Sequence, residues 1–409
     1  MALTKVTKEL IQGGLGVDWQ ATVKTGNFQA VASQGYFVNT TSNQVIVTMP
    51  PTASVGDIVS IVDYAGTAQT NKITITAQSN INGSANDVKI DYQRGAVSII
   101  YSGTIQGWVA EFAANDGTDA LVNVPTTFAV DFLVVAGGGG GGGDAAGGGG
   151  AGGLRTSYGS TSGGGATAES SLSLTAATNY TVTIGTGGAG SNVNPNNGAS
   201  GLNSVFSTIT SVGGSGGSGH QGTGIVVGGS GGGNDYDNDT VYPNNGTSNQ
   251  GFGGGLGFVG NNPAATFKGG GGGGASELGG TNATGHGGDG LEVNIIGGTG
   301  NYYAGGGGGG CGTSYSSANP GGAGGGGAGA KRNASDGVDG AVNTGGGAGA
   351  GDSSQNPGDG GSGTVILRYP TADVSSFAVT GTLNTPTPSI VGTDSVLIFT
   401  TGTGTITFS

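Results

Sequence analysis

Val130-Asp-Phe-Leu-Val-Val-Ala136 runs without a break into Gly137–Gly143, seven glycines in succession. The first piece reads as a strand, and the second carries no side chains at all. From there to Gly363 the chain alternates glycine runs with short strand-like or polar stretches. The main further runs are Gly147–Gly150, Gly269–Gly274, Gly305–Gly310 and Gly324–Gly327. Strand-like pieces interrupt them at Asn179–Ile184, Ser204–Thr210 and Gly363–Tyr369. The runs have no period of three that would suit a collagen triple helix.

Backbones without Cβ atoms can approach one another closely. An extended, left-handed helix of three residues per turn rises about 3.1 Å per residue, so the longest run would reach roughly 22 Å. Such a helix makes no internal hydrogen bonds, and its buried N–H and C=O groups need partners from neighbours. Each bond nets about 0.5–1.5 kcal/mol, whereas fixing each backbone costs about 1–2 kcal/mol. The expectation is therefore a bundle of polyglycine-II-like helices, stabilised by flanking strands and by an oligomer.

Outward from this segment the composition becomes ordinary. Residues 25–115 show a period of two, as in Gln44-Val-Ile-Val-Thr-Met49 and Lys72-Ile-Thr-Ile-Thr-Ala77. Alternation of this kind places Ile73, Ile75 and Ala77 on a core face, with Thr74 and Thr76 toward water. Asp57–Asp63 and Ala96–Tyr101 read as more buried strands, and Trp108 as a core filler. Turn signals at Pro50-Pro51, Asn82-Gly83 and Arg94-Gly95 separate them, which predicts a small β-sandwich or barrel. The divisions expected are an N-terminal attachment segment (1–24), a β-sandwich (25–115), a linker (116–128), a glycine-rich domain (129–369) and a C-terminal β segment (370–409). The last segment is expected to extend the preceding sheet or to cap the tip.

Two resemblances follow from these residues. Gly35-Tyr-Phe-Val-Asn-Thr-Thr-Ser42, Val55–Gly66 and Tyr101–Trp108 are similar to a β-domain common in tail-fibre proteins of tailed bacteriophages. Val130–Gly139 and Gly361–Pro370, with Tyr180–Gly190 and Ser204–Gly214 between them, resemble the glycine-rich domain of phage fibre and structural proteins. The resemblance implies a virion fibre, made in the host cytoplasm, that attaches to other virion proteins through its N-terminal region. It also implies a homo-oligomer, by analogy a homotrimer, and a host cell-surface receptor, either a glycan or an outer-membrane protein. A head or collar fibre that only decorates the particle uses the same modules. An ice-binding or other free glycine-rich protein would show a regular Gly-x-x repeat and disulfides instead.

Composition narrows the function further. The net charge is −13, with only 11 Lys and Arg in 409 residues. No basic stripe exists to neutralise phosphates, so nucleic acid is not an expected partner. The N-terminus lacks an apolar signal core, which fits synthesis and folding in a cytoplasm. Cys311 is the only cysteine and has no partner for an intrachain disulfide.

Catalytic patterns carry little here. Gly213-Gly-Ser-Gly-Gly217 and Gly228-Gly-Ser-Gly-Gly232 fit Gly-x-Ser-x-Gly without a strand-to-helix elbow, and glycine this dense produces such matches by accident. His220 and His286 have no second ligand at metal spacing. Asp235, Asp237 and Asp239 lack the glycine and distal glutamate of a calcium loop, and they read as an acidic, solvated loop. Scattered carboxylates give no pair suited to glycan cleavage. The expectation is a non-enzyme without cofactor or metal.

Contact residues are sought instead in loops presented by a rigid scaffold. The loops are Asn192–Asn197, Asn234–Asn249, Thr313–Pro320 and Lys331–Asp339. Tyr236, Tyr242, Phe252, Phe258, Tyr302, Tyr303 and Tyr315 lie in or near them. Exposed aromatics stack on sugars and anchor protein contacts at low entropic cost. The plain alternative is that they cover the sides of the bundle.

Overall fold

The computed structural model describes residues 17–114, 122–123, 127–191, 196–220, 227–237, 245–258, 266–281 and 284–409. It is mainly β and divides into two units, residues 1–126 and 127–409.

The first unit holds β1 (Asp18–Trp19), β2 (Phe28–Gln29), β3 (Gln34–Val38), β4 (Val45–Thr48), β5 (Ile58–Asp63), β6 (Ile73–Thr76), β7 (Val88–Ile90), β8 (Ala96–Tyr101), β9 (Trp108–Ala114) and β10 (Val122–Asn123). They form two five-stranded sheets, ordered β1-β3-β5-β8-β9 and β10-β7-β6-β4-β2. The first six strands alternate between the sheets, and their neighbours within each sheet are parallel. Strands β7 to β10 complete both sheets in antiparallel pairs. The chain thus winds from layer to layer. Side-chain alternation specifies which face of a strand is buried but not which strand lies beside it, so this winding had no signature in the sequence.

Val45, Val47, Ile61, Ile73, Ile75, Ile90, Ile99 and Trp108 from both sheets meet in one fully buried cluster. Thr74, expected to face water, is buried, and its hydroxyl accepts a hydrogen bond from Gln44 Nε2 at 3.2 Å. The end of β5 is tied down by Asp63, which is itself buried. Its carboxylate accepts backbone N–H bonds from Gly66, Thr67, Ala68 and Arg94 at 3.0–3.2 Å. A buried charge is tolerated only with such partners. Val122 and Asn123, assigned by sequence to the linker, pair with β7.

The second unit contains β11 (Thr127–Val135), β12 (Leu154–Thr156), β13 (Leu172–Thr175), β14 (Asn179–Thr183), β15 (Ser204–Phe206), β16 (Ile209–Ser211), β17 (Leu291–Glu292), β18 (Tyr302–Tyr303), β19 (Thr364–Pro370), β20 (Phe377–Val379), β21 (Ser389–Val391), β22 (Asp394–Phe399) and β23 (Thr403–Phe408). One sheet is ordered β12-β11-β19-β22-β21, with β13 also on β11, and another β16-β15-β14-β23-β20. Phe132 and Val134 on one face of β11 join a core with Phe128, Phe206, Phe399 and Phe408. Leu133 and Val135 on its other face pack with Leu154, Ile295 and Tyr303. Burial on both faces explains the uninterrupted apolar run at this strand. Residues 370–409, set apart in the sequence as a C-terminal segment, extend these sheets through β22 on β19 and β23 on β14. Ser204–Thr210, read as one strand, is a hairpin turned at Ser207, whose φ is 51°.

Beyond β11 the glycine runs pack against each other, and Gly137–Gly143 lies fully buried at their centre. Its N–H groups bond outward with a period of three. Gly137, Gly140 and Gly143 donate to Leu202, Ala199 and Asn196; Gly138 and Gly141 to Gly361 and Gly358; Gly139 and Gly142 to Gly150 and Gly147. Its carbonyls accept from three other segments with the same period. Gly214, Gly217 and His220 donate to Gly137, Gly140 and Gly143; Gly188 and Ser191 to Gly138 and Gly141; Ala348 and Gly351 to Gly139 and Gly142. Six extended segments therefore surround this one, three antiparallel and three parallel to it.

From Gly137 to Gly142 no Cβ fits in this arrangement. One placed on Gly140 would overlap the Ala189 carbonyl, and one on Gly138 the Gly346 carbonyl. Gly147–Gly150 and Gly305–Gly310 are embedded in the same manner, each residue bonding to a neighbouring segment.

Candidate functional site

The bundle has two distinguishable ends. Strand β11 feeds Gly137 at the sheet end, so Gly143 lies at the other. Hydrogen-bond register then carries the remaining segments to that same end. Gly143 pairs with Asn196 and His220, Gly142 with Gly351, and Ala146 with Gly310. Tyr236 N–H donates to Ala145, Gly312 to Phe267, and Arg332 to Cys311. Single β-bridges link Phe258 to Lys268, Lys268 to Cys311 and Cys311 to Lys331. Residues 196–197, 234–237, 313–320 and 331–336, from the four loops named from the sequence, thus gather at or beside the end remote from the sheets, whereas residues 245–249 of the second loop bond to Gly228 and Gly229 toward the sheet end.

At this loop end a ladder of planar groups crosses the ends of the runs. The His220 ring stacks on Tyr236 with centroids 5.1 Å apart and an interplanar angle of 11°. Tyr236 meets Phe267 at 5.5 Å, and the Arg332 guanidinium lies 4.6 Å from the Phe267 centroid. Arg332 forks onto Asp352, with Nε to Oδ2 at 2.8 Å and Nη2 to Oδ1 at 2.6 Å. These bonds raise the guanidinium pKa, and Asp352 is wholly enclosed beneath it. A buried carboxylate with a bidentate partner is a fixed structural charge.

Around the ladder the charges are mostly acidic. His220 Nδ1 stands 3.6 Å from Asp237 Oδ2 and 3.8 Å from Asp235 Oδ2. Asp235 is completely buried, unlike the solvated loop expected for it, because its segment continues a glycine run into the interior. Burial, then Asp237, Asp144 and Asp235, pushes the Tyr236 phenol pKa up. Beside the ladder, Lys268 Nζ lies 4.3 Å over the Tyr315 ring, whose hydroxyl donates to the Thr266 carbonyl at 3.0 Å. Burial lowers the Lys268 pKa and raises that of Tyr315. Cys311 is buried beneath, and burial pushes its thiol up.

The structure brings together three of the seven aromatics named from the sequence: Tyr236, Tyr315 and the 39% exposed Phe258. Tyr242 lies outside the described residues. Phe252 sits half-buried in a cleft on the flank of the bundle. Tyr302 and Tyr303 belong to β18, away from the loops, where strand alternation exposes the first and buries the second in the core with Leu133 and Ile295. Tyr303 is thus a packing residue. His220, Phe267 and Arg332, which complete the ladder, were not singled out as contact residues, since they come from three loops with no common spacing.

Ser215 and Ser230 of the two Gly-x-Ser-x-Gly matches are buried within extended runs, and the Ser215 hydroxyl accepts from Gly232 N–H at 2.6 Å. Among the described residues no three His, Cys, Asp or Glu side chains are placed to hold a metal ion. The loop end thus bears aromatic rings, a guanidinium paired with a buried carboxylate and an acidic border.

No curated protein matches the sequence. The family of the glycine-rich domain matches residues 115–370, more than half of the chain, and the chain belongs to that family.

Proposed function

We propose that this chain is a structural fibre of a bacteriophage virion and that the loop end of its glycine bundle contacts a receptor on the host surface. The observation that carries the reading is the convergence of Tyr236, Phe258 and Tyr315 on one end of a hydrogen-bonded scaffold. Loops on a rigid support are where recognition residues concentrate, and aromatics with an arginine are the side chains that dominate contact energies. The sequence resemblance to phage fibre domains supplies the setting. The glycine runs act as polyglycine-II-like helices, a reading supported by the period of three in their hydrogen-bond partners. The chain is a homotrimer that attaches to the particle through its N-terminal region. Weak contacts repeated on an oligomer then gain avidity through effective concentration.

A decorating fibre with no receptor is the second reading. It is favoured by the half-burial of Tyr236 and Tyr315, each already packed against side chains of its own chain. Adsorption competition separates the two. Purified full-length protein added to host cells is expected to inhibit phage adsorption saturably. A Tyr236→Ala/Tyr315→Ala variant of unchanged oligomeric state should inhibit far less. Absence of inhibition by the folded wild-type oligomer would replace receptor contact by decoration.

A further inference from the structure

A cleft lies on the flank of the bundle, away from the loop end. Phe252, Leu256 and Leu278 form an apolar wall in a cleft of about 580 Å³, within the roughly 300–1,000 Å³ range of small-molecule sites. Leu278 is 57% exposed. Glu277, His286 and Thr284 also line the cleft and supply its polar groups.

Glu277 is restrained before any ligand arrives. Glu277 sits in a turn closed by its own carbonyl, which accepts from Gly274 N–H at 2.9 Å. Its Oε2 accepts from Asp289 N–H at 3.2 Å. Its Oε1 is 3.9 Å from His286 Nε2. That distance is too long for a hydrogen bond, but one oxygen that donates to the carboxylate and accepts from the imidazole can span it. A hydroxyl does both. The His286 backbone is fixed in turn, its carbonyl accepting from Gly280 N–H at 2.8 Å. Phe252 is anchored by its N–H on the Gly274 carbonyl at 3.0 Å.

We infer that this cleft binds a pyranose ring, with one ring hydroxyl bridging Glu277 Oε1 and His286 Nε2 and the C–H face of the sugar against Phe252. An apolar wall facing a carboxylate and an imidazole matches the two-faced chemistry of a sugar, apolar on its C–H surface and hydroxylated at its rim. A purely aliphatic ligand would set an apolar group against Glu277 Oε1 and His286 Nε2 and leave the bridge between them unmade. The assignment stands on the cleft and not on the fibre reading; where both hold, it makes the receptor a glycan with a subsite away from the loop end.

The test uses the full-length protein and the methyl pyranosides of glucose, galactose, mannose and N-acetylglucosamine, observed by saturation-transfer NMR. At least one is expected to receive saturation, strongest at ring C–H protons. Glu277→Gln and Leu278→Ser, both at exposed positions, should leave the fold intact by circular dichroism. Glu277→Gln is expected to weaken binding about tenfold, the loss of one charge-assisted bond. Val55→Ser, at an exposed position of the first unit, should not change it. Failure of all four sugars to receive saturation, or transfer unaffected by either cleft variant, would overturn the assignment. Binding of n-octane diol in place of every sugar would do the same by showing an apolar site. None of these outcomes depends on adsorption, so a failed sugar site and a failed fibre reading remain distinguishable.

Discussion

Val47 in the first unit and Gly140 in the second are both fully enclosed, and their surroundings are opposites. Val47 is covered by side chains from two sheets, in a core that holds the layers apart and gains its stability from apolar area. Gly140 is covered by other backbones, and stability there comes from saturating N–H and C=O groups between close neighbours. A side-chain core tolerates a lost methylene by partial collapse. A backbone lattice has no soft component that can yield to an added one.

The difference is sharpest with the same product residue in each unit. Gly140→Ala puts a Cβ onto the Ala189 carbonyl and is expected to cost more than about 4 kcal/mol, in the exceptional range for one substitution. Ile61→Ala removes methylenes from the first core and is expected to cost about 2–5 kcal/mol. Calorimetry of the two variants should show Gly140→Ala abolishing the cooperative transition of the second unit, while Ile61→Ala lowers the first. A Gly140→Ala protein that melts like wild type would mean that the runs do not pack as tightly in solution as their hydrogen-bond register requires.

These two kinds of packing also differ in what the sequence discloses. Period-two alternation marked Ile73 and Ile75 as core because strand geometry ties spacing to face. It missed the burial of Thr74, which depends on Gln44 reaching across from a neighbouring segment. The glycine runs were legible as extended and mutually packed, since nothing else suits a buried backbone without side chains. Their partners were not legible: Gly138 bonds to Gly361, and no side chain at either position encodes that choice. At the loop end Tyr236 and Tyr315 could be named as aromatics in polar loops. Their companions His220, Phe267 and Arg332 converge only through the register of the runs that deliver them.

A smaller effect, confined to the second unit, concerns alkaline pH. Burial raises the phenol pKa values of Tyr303, Tyr315 and Tyr369 above the ordinary 10.0, and burial with neighbouring carboxylates raises that of Tyr236. An acid whose folded pKa is raised binds its proton more tightly in the folded state. Its contribution is present in full below pH 10.0 and is lost as pH rises from there through the folded value. The Cys311 thiol, its pKa raised by burial from 9.0, adds to the tyrosines, and Lys268, whose pKa is lowered by burial, works in the opposite sense as one group against five. Unfolding of the second unit by denaturant should therefore require less denaturant as pH climbs past 10, with tyrosinate absorbance appearing in step with unfolding. Full tyrosinate absorbance in a still folded bundle would show these rings to be open to solvent.

The smallest effect reverses the sign of the first. Gly26, in the first unit, has no atom within 4 Å of where a Cβ would lie, and its φ is not in the left-handed region. Gly26→Ala adds a methyl group that meets nothing in the folded state and removes conformational freedom from the unfolded one. It is expected to stabilise the first unit by about 0.4–1 kcal/mol, read as a higher denaturant midpoint at unchanged slope. One substitution type would then stabilise where glycine merely occupies a turn and disrupt where glycine is the packing surface. A destabilising Gly26→Ala would blur that distinction, because it would mean that Gly26 is held by close contact even where its surroundings look open.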